Sequence, residues 1–300
     1  MSGAEALTLA LPGMLRRQRK AQLWVAVIFA TLVTLLYQAT GGWQEFSAFI
    51  LFLPPLALLL ARTVSGWLRR EQRRQALPIL AGAFGLNYAP DNKDFFPGLP
   101  AGLLPAGNRT QADHVLEGEF AGAPFRFAAV RVSHMAPSGD ASHSPGLLFR
   151  GFVLELLSLG LPPKLLIADH LRTRPGQFVG PVLSTEGLTL RAEMNSDGMD
   201  YGLWAAPEAD LPGARDLLEN VTRLAETEGL QLYSLRAEGS AWYLTLRHAP
   251  EVFRFSGILA GKARLLADVR GASDEIALAF RLAAGLLRAE QGLAAPALPK

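Results

Sequence analysis

The feature that most constrains this chain is an uncharged run of nineteen residues, Ala21–Ala39, with the sequence AQLWVAVIFATLVTLLYQA. At about 1.5 Å per residue, a helix of this length extends roughly 28 Å, close to the hydrocarbon thickness of a bilayer. Trp24 and Tyr37 lie near its two ends, where aromatic side chains favour the headgroup region. The run therefore predicts a membrane-spanning helix.

A second apolar run, Phe46–Ala61, follows after the short connection Thr40–Glu45. It is shorter than the first, and Pro54 and Pro55 in its middle predict a kink. The alternatives are a cleaved signal peptide followed by one anchor, and a buried helical hairpin in a soluble core. The length of the first run and the arginine clusters outside both runs favour a transmembrane hairpin over residues 1–75.

The distribution of charge predicts the orientation of this hairpin. Residues 1–75 contain nine basic and three acidic side chains, whereas residues 76–300 contain 20 basic and 24 acidic ones, a net charge of −4. The connection Thr40–Glu45 contains no basic residue. The positive-inside rule then predicts a multi-pass protein of the bacterial cytoplasmic (inner) membrane with both termini in the cytoplasm. Four arginines are predicted to contact lipid headgroups: Arg69, Arg70, Arg73 and Arg74.

Composition limits the classes of partner and cofactor. The chain has no cysteine, which excludes disulfides, cysteine metal sites and thiol nucleophiles. The acidic balance of residues 76–300 argues against nucleic acid as a partner, because such a domain needs a basic face. The expected partners are the lipid bilayer and either another protein or a second copy of the chain. No cofactor and no metal are expected.

Residues beyond the hairpin predict a soluble α+β domain. We expect a short helix, broken near Pro78, and a Pro/Gly-rich linker over 76–110, the cytoplasmic domain over 111–292, and a tail over 293–300. Alternating apolar residues predict strands at 114–120, 124–132, 146–158, 163–170, 187–194, 200–206, 230–236 and 241–248. Short connections between them favour a mainly antiparallel sheet.

Two amphipathic helices complete the predicted domain. The first lies within 208–230, with Asp210 as its N-cap and Pro212 in its first turn. The second begins near Ser273, with Asp274 and Glu275 at its positive end. The predicted fold class is α+β, with two N-terminal transmembrane helices followed by a mainly antiparallel sheet and two or three helices.

Several motifs resemble known sites but lack an essential part. Gly257–Ala263 is one residue short of a P-loop and lacks the metal-binding hydroxyl, so its glycines are interpreted as turn or packing residues. The first positions of the segment from Glu193 to Trp204 match the ligand spacing of a calcium-binding loop. Trp204, however, occupies the position of the final Glu ligand, so the segment is interpreted as a polar turn. The loose spacing of four further residues favours a solvated loop over a metal site: His114, His134, Asp140 and His143. Glu155 lies within an apolar strand, and alternation alone leaves its face open.

One constellation carries a chemical hypothesis. Asp169 and His170 follow a predicted strand, and Asp169 can orient His170 as a general base, while Arg172 and Arg174 hold an anionic group. Adjacent strand residues point to opposite faces, so the pair needs a turn to work. The simpler interpretation is a charged surface loop, for which replacing Asp169 and His170 by Ala changes stability by no more than about 0.5 kcal/mol.

Three segments and the N-terminal hairpin together resemble a known family. The segments are GEFAGAPFRF, LFRGFVLEL and YGLWAAPEADLPGARDLLENVTRLAE. They resemble a bacterial family of membrane-anchored proteins of unknown function, with an N-terminal transmembrane hairpin and a cytoplasmic α+β domain. The resemblance implies a cytoplasmic-membrane protein and brings no catalytic residues with it.

The function expected from these observations is a membrane-anchored binding or scaffold module whose ligand is unknown. One alternative is a membrane-tethered enzyme that acts on an anionic substrate through the 169–174 loop. The other is a self-associating structural membrane protein. The absence of the common catalytic motifs argues against an enzyme without excluding one.

Overall fold

A computed structural model describes the chain over residues 3–40, 52–100, 102–105, 107–134, 146–158, 160, 162–169, 183–209, 211, 213–248, 252–258 and 260–294. The α-helices within these ranges are α1 (Gly3–Ala39), α2 (Leu53–Ala83), α3 (Ala214–Thr227) and α4 (Lys262–Ala294). The strands are β1 (Asn87–Asp91), β2 (Arg109–Phe120), β3 (Ala123–His134), β4 (Gly146–Leu157), β5 (Leu165–Asp169), β6 (Thr189–Ser196), β7 (Met199–Ala205), β8 (Gln231–Glu238) and β9 (Ala241–Arg247).

The chain divides into two compact units. Unit 1 comprises Met1–Gly85 and Glu251–Glu275, and it contains α1, α2 and the first part of α4. Unit 2 comprises Leu86–Pro250 and Ile276–Lys300, and it contains all nine strands, α3 and the rest of α4.

Among the described residues, one helix, rather than the two predicted, is long and apolar enough to cross a membrane. It covers Leu11–Ala39. The predicted second span is not supported, because α2 begins at Leu53 and reaches Arg62 after nine positions. The pair Pro54–Pro55 lies in the first turn of α2, where the missing N–H groups have no intrahelical acceptor, so it begins a helix instead of kinking one. Residues 46–51 of the predicted span lie outside the described residues.

The predicted helix break near Pro78 is also wrong. Helix α2 continues through Pro78 to Ala83, and Leu77 and Leu80 on either side of the proline are fully buried. Packing of these side chains offsets the hydrogen bond that the proline removes.

The predicted Pro/Gly-rich linker is partly ordered within the sheet domain. Its first residues form β1, which pairs antiparallel with β2. Asn92 then caps a 3₁₀ helix, Lys93–Phe95, by accepting a hydrogen bond from the Asp94 N–H. Phe95 and Leu103 are buried in the same cluster as Phe149 of β4. The two apolar side chains bind this segment to the sheet, which a composition-based prediction of a linker cannot detect.

The nine strands form one sheet in the order β1-β2-β3-β4-β9-β8-β5-β7-β6, and every neighbouring pair is antiparallel. The predicted α+β class and the antiparallel sheet are confirmed. Strand β5 pairs with β8 and β7, so the sequence neighbours β4 and β5 are separated by two strands.

Each face of the sheet has its own apolar layer. Val153 and Phe149 of β4 belong to the face that packs against the segment containing Phe95. On the opposite face, Phe280 of α4 contacts Phe125 of β3 edge to face, while α3 packs against β6, β7 and β8. The amphipathic face predicted for α3 is confirmed by its buried residues, Ala214, Leu217, Leu218, Val221 and Ala225.

Both helix starts in this half of the chain differ from the predictions. Gly213 is the N-cap of α3 and provides no side-chain hydrogen bond, while Asp210 and Pro212 lie outside the described residues. Helix α4 begins at Lys262, eleven residues before the predicted start, because buried Leu265 and Val269 extend its apolar face upstream.

Candidate functional site

The structure describes only the first residue of the predicted Asp–His constellation. Asp169 is the last residue of β5, lies opposite Tyr201 of β7 and is 5% exposed. The prediction of a charged surface loop is therefore wrong for Asp169, because the strand carries it into the interior. His170, Arg172 and Arg174 lie outside the described residues, and their roles stay predictions.

The four arginines predicted to contact headgroups separate into two pairs. The Arg69 Nε–H donates to the Ser65 carbonyl oxygen at 3.3 Å, and the Arg73 Nε–H donates to the Phe253 carbonyl oxygen at 2.9 Å. Arg70 and Arg74 are exposed. Residues four apart lie on one helix face, so the two pairs occupy adjacent stripes of α2. The exposed pair is the one whose guanidinium groups can reach a headgroup without breaking these contacts.

Arg73 also faces a carboxyl group with an unusual pKa. Burial raises the pKa of Glu275 to about 7. Two effects oppose this rise: the carboxylate accepts a hydrogen bond from the Phe253 N–H, and it lies near the positive charge of Arg73. Asp274 raises it further. All of these groups belong to unit 1.

Glu155 is buried on the sheet face that packs against the segment of Phe95. It forms an ion pair with Arg126 of β3, whose guanidinium carbon lies 5.4 Å from the centre of the Phe95 ring. Burial and the charge of Glu155 raise the pKa of Tyr243 on the next strand. Strand register places five charged or polar side chains in one row across the sheet: Glu117, Arg126, Glu155, Tyr243 and Arg236. Opposite charges at neighbouring positions stabilise this register.

The remaining motifs have structural roles where they are described. Asp197 and Gly198 both have positive φ, of 51° and 72°, and form the turn between β6 and β7, as predicted. His114 shares a hydrogen bond of 2.7 Å with the Tyr88 hydroxyl. Within the described residues no group of three side chains can hold a metal ion. Asp140 and His143 lie outside those residues.

A site that sequence reasoning missed lies where β4 extends past the end of β9. Strand β4 begins at Gly146, but its pairing with β9 begins only at the Gly151–Arg247 pair. The overhang leaves a pocket of about 650 Å³ beside the start of β8. Its lining includes Leu147, Leu148, Phe149, Arg150, Arg247 and His248.

The pocket is basic. It contains Arg150, Arg247 and His248, and none of the described lining residues is acidic. The Arg247 guanidinium carbon lies 5.4 Å from the centre of the Tyr233 ring, and the His248 ring stacks on Phe152 with centres 5.0 Å apart. The backbone N–H of His248 donates to the Arg150 carbonyl oxygen at 3.0 Å. Burial, and then the charge of Arg150, lower the pKa of His248.

Only the sheet register brings Arg150, Arg247 and His248 to one end of the sheet, with Arg247 on the face of Tyr233 and the other two on the face of Phe152. Arg150 and Arg247 are almost a hundred positions apart and each lies on an ordinary strand. A sequence signal was present in Gly151, since a Cβ there would overlap the backbone carbonyl oxygen of Leu246. Glycine at such a position indicates a close approach of two backbones. It does not identify the partner strand.

Comparison with known proteins gives little further information. No family model and no curated protein matches this sequence. The chain has a distant structural likeness to the crystal structure of the mycobacterial trehalose monomycolate transport factor A, TtfA, with 11% sequence identity, a TM-score of 0.33, and coverage of 67% of this chain and 93% of that chain. A likeness at this level carries no argument about function. The resemblance to a family of membrane-anchored proteins stays a prediction.

Proposed function

We propose that the protein is a membrane-anchored binding module whose sheet domain lies in the cytoplasm. One observation carries the proposal: large apolar side chains along α1 are exposed, with Leu23 at 66% and Trp24 at 64%. Exposed apolar surface is unfavourable in water by about 25 cal/mol per Å², and a bilayer removes that cost. Arg16–Lys20, with four basic side chains, directly precedes the apolar part and can remain in the headgroup region.

The proposal includes the topology predicted from charge. Both termini lie in the cytoplasm and the connection Thr40–Glu45 lies outside. Reporter fusions at the two termini are expected to report the cytoplasm, and a fusion within Thr40–Glu45 the outside. A periplasmic signal from a fusion at Lys300 would contradict this topology and leave a single crossing by α1.

A binding role is favoured over catalysis by the chemistry of the described pocket. Its polar groups are mainly cations, which hold anions, and it contains no described carboxylate or hydroxyl nucleophile beside His248. The alternatives of an enzyme acting through residues 169–174 and of a self-associating protein have no specific support among the described residues.

Membrane anchoring can be tested with leucines and isoleucines of matched exposure. Ile28 and Leu32 of α1 are 40% and 38% exposed, and Leu190 and Leu157 of the sheet are 44% and 38% exposed. An aspartate near the bilayer centre costs about 2.5–3.5 kcal/mol. The double variant Ile28→Asp/Leu32→Asp should therefore leave the membrane fraction, as measured by flotation of the full-length protein. The double variant Leu157→Asp/Leu190→Asp should stay membrane-bound. Equal membrane fractions for the two variants would refute anchoring by α1.

A further inference from the structure

We propose that the turn where α4 begins, Ala260–Arg264, lies at the cytoplasmic surface of the bilayer and binds anionic lipid headgroups through Lys262 and Arg264. This turn is called the tip, and the irregular segment before it, Val252–Ile258, is called the strap. Both belong to unit 1. The inference rests on the proposed anchoring, because α1 sets the level of the bilayer, and it adds a second contact with the same membrane.

The strap runs antiparallel to the first part of α4. The Phe253 N–H donates to the Glu275 carboxylate, and the Ser256 N–H donates to Asp268 Oδ2 at 2.7 Å. Three residues forward along the strap therefore match seven residues back along α4. An extended chain covers about 10 Å in three residues and a helix covers about 10 Å in seven, so the two segments run side by side. The tip is the end of this pair of segments.

The end of the strap reaches the boundary between the charged and apolar parts of α1. Ile258 is 3% exposed and packs with Leu68 of α2 and with Ala21, the first residue of the uncharged run. The Ile258 carbonyl oxygen accepts hydrogen bonds from Gln18 Nε2 at 3.2 Å and from Gln22 Nε2 at 2.8 Å. These two glutamines lie one helical turn apart, one on each side of the boundary. Ile258 is therefore held at the level where α1 becomes apolar.

Further contacts fix the tip at this level. Gln18 Nε2 also donates to the Ala260 carbonyl oxygen. The Ile258 N–H donates to Ser65 Oγ of α2 at 3.2 Å. A Cβ at Gly257 would lie 2.7 Å from the same Oγ atom, so a glycine is needed for the strap to approach α2 this closely. Buried backbone groups need partners, and here side chains of α1 and α2 provide them.

The proposed anchoring places this boundary in the headgroup region. Arg16–Lys20, with four basic side chains, directly precedes Ala21 on α1. Lys262 lies two residues after Ala260 and is exposed. The Arg264 side chain is 65% exposed, and its contact with Asp268 is 3.6 Å long. Such exposed ion pairs contribute little stability, so a lipid phosphate can compete for this guanidinium group.

The charge of the strap and tip favours an anionic surface. Residues 252–267 contain three basic side chains, Arg254, Lys262 and Arg264, and no acidic one. Arg254 adjoins Phe253 at the far end of the strap, so two of the three cations belong to the tip. A soluble anion bound by two exposed cations would have to be captured from dilute solution. Lipid headgroups are instead kept at this level, at high local concentration, by the anchoring of α1.

The level of the tip can be measured by fluorescence quenching. The chain has no cysteine, so one introduced cysteine can carry a bimane label. Ala263→Cys, Ala267→Cys and Gly271→Cys place it at exposed positions of α4, about 6 Å apart along the helix. Each full-length variant is placed in nanodiscs of phosphatidylcholine and phosphatidylglycerol in equal amounts, with a nitroxide on part of the phosphatidylcholine headgroups. Quenching should be strongest at position 263 and fall about threefold or more over the roughly 12 Å to position 271. Equal quenching at the three positions, or stronger quenching at 271, would overturn the proposal.

The recognition of anionic lipid can be tested at the same label. Quenching at Ala263→Cys should increase with the fraction of phosphatidylglycerol, and Lys262→Gln should raise the half-maximal fraction about fivefold. Lys262→Gln/Arg264→Gln should raise it further, whereas Lys262→Arg should behave like the wild type. Arg270→Gln is the matched control, because this exposed residue lies eight positions, or about 12 Å, further along α4, beyond a Debye length of about 10 Å. It should have no effect. Quenching that does not depend on phosphatidylglycerol, or equal effects of Lys262→Gln and Arg270→Gln, would overturn binding by the tip.

Failure of this proposal and failure of the anchoring are distinguishable. A protein that enters nanodiscs but shows no decrease of quenching along α4 would refute the position of the tip and leave anchoring by α1 intact. A wild-type protein that does not enter nanodiscs would refute the anchoring, and the proposal for the tip with it.

Discussion

Unit 1 exposes large apolar side chains that unit 2 keeps inside. Among the described residues, twelve of the fifteen exposed large apolar side chains lie between Leu23 and Trp67, and the other three are Leu147, Leu157 and Leu190 of the sheet domain. The sheet packs its apolar residues on both faces, against α3 and α4 on one and against the segment of Phe95 on the other. Unit 2 therefore covers most of its own apolar surface, whereas unit 1 leaves large apolar side chains exposed.

The two units also differ in how they use charge. In unit 1, exposed basic side chains follow the apolar segments, and Arg70 and Arg74 face outward. In unit 2, Arg126 and Glu155 compensate each other within the sheet. Exposed cations of unit 1 are thus available to a surface outside the chain, as the proposed anchoring requires, whereas unit 2 uses part of its own cations to fix strand register. The following predictions test this difference.

The largest effect is expected from breaking the internal ion pair of unit 2. Arg126→Met leaves the carboxylate of Glu155 buried without its partner, which should lower the free energy of unfolding by about 3 kcal/mol. The matched control is Arg223→Gln on the exposed face of α3, where loss of the pair with Glu219 should cost less than about 0.5 kcal/mol. Denaturant unfolding of the full-length protein in detergent measures both. Equal costs would mean that the sheet does not depend on this pair.

A smaller effect is expected at Asp169. Its side chain is 5% exposed and engaged in an interaction, so Asp169→Ala should lower the free energy of unfolding by about 2 kcal/mol. The same denaturant titration measures it, with Asp200→Ala on the exposed side of β7 as the control. A change within about 0.5 kcal/mol would restore the surface-loop interpretation made from sequence.

Glu275 should make the stability of unit 1 depend on pH. Its pKa of about 7 lies above that of the unfolded chain, so the native state binds more protons between about pH 4.5 and pH 7. The free energy of unfolding should therefore fall as the pH rises through this range. Thermal unfolding at pH 5 and pH 8 measures the difference, and Glu275→Gln should remove it. A wild-type pH dependence in that variant would assign the effect to another group.

The smallest effect concerns the stripes of α2. Arg70→Gln and Arg74→Gln should each weaken binding to anionic vesicles by about 1 kcal/mol at low salt, and less as salt increases. Arg69→Gln and Arg73→Gln should weaken it less, because these side chains donate to backbone oxygens of the protein. Co-sedimentation of the detergent-free protein with vesicles of stated charge compares the pairs. Equal losses of vesicle affinity at all four positions would mean that all four arginines contact lipid headgroups, as predicted from sequence.

The strands and the sheet class were predictable because their signal is local. Alternating apolar residues and short turns identified β2, β3, β4, β8 and β9 within a few residues. Helix ends were less predictable. The extension of α4 to Lys262 and the passage of α2 through Pro78 both depend on the burial of neighbouring leucines, which a local pattern does not report.

The candidate functional residues also divide into those that local sequence predicts and those that only the tertiary structure brings into contact. The apolar length of α1 and the grouping of the arginines followed from sequence, since span length and charge asymmetry depend only on residues close together in the chain. The sequence by itself thus determined the apolar length of α1, the α+β fold class and the antiparallel sheet. Only the tertiary structure decided that Arg150 and Arg247 share a pocket, that Glu155 meets Arg126 and that Asp169 is buried. Each of these depends on strand order and register, and register is chosen by packing over the whole sheet, where a shift of one residue would turn every side chain to the other face.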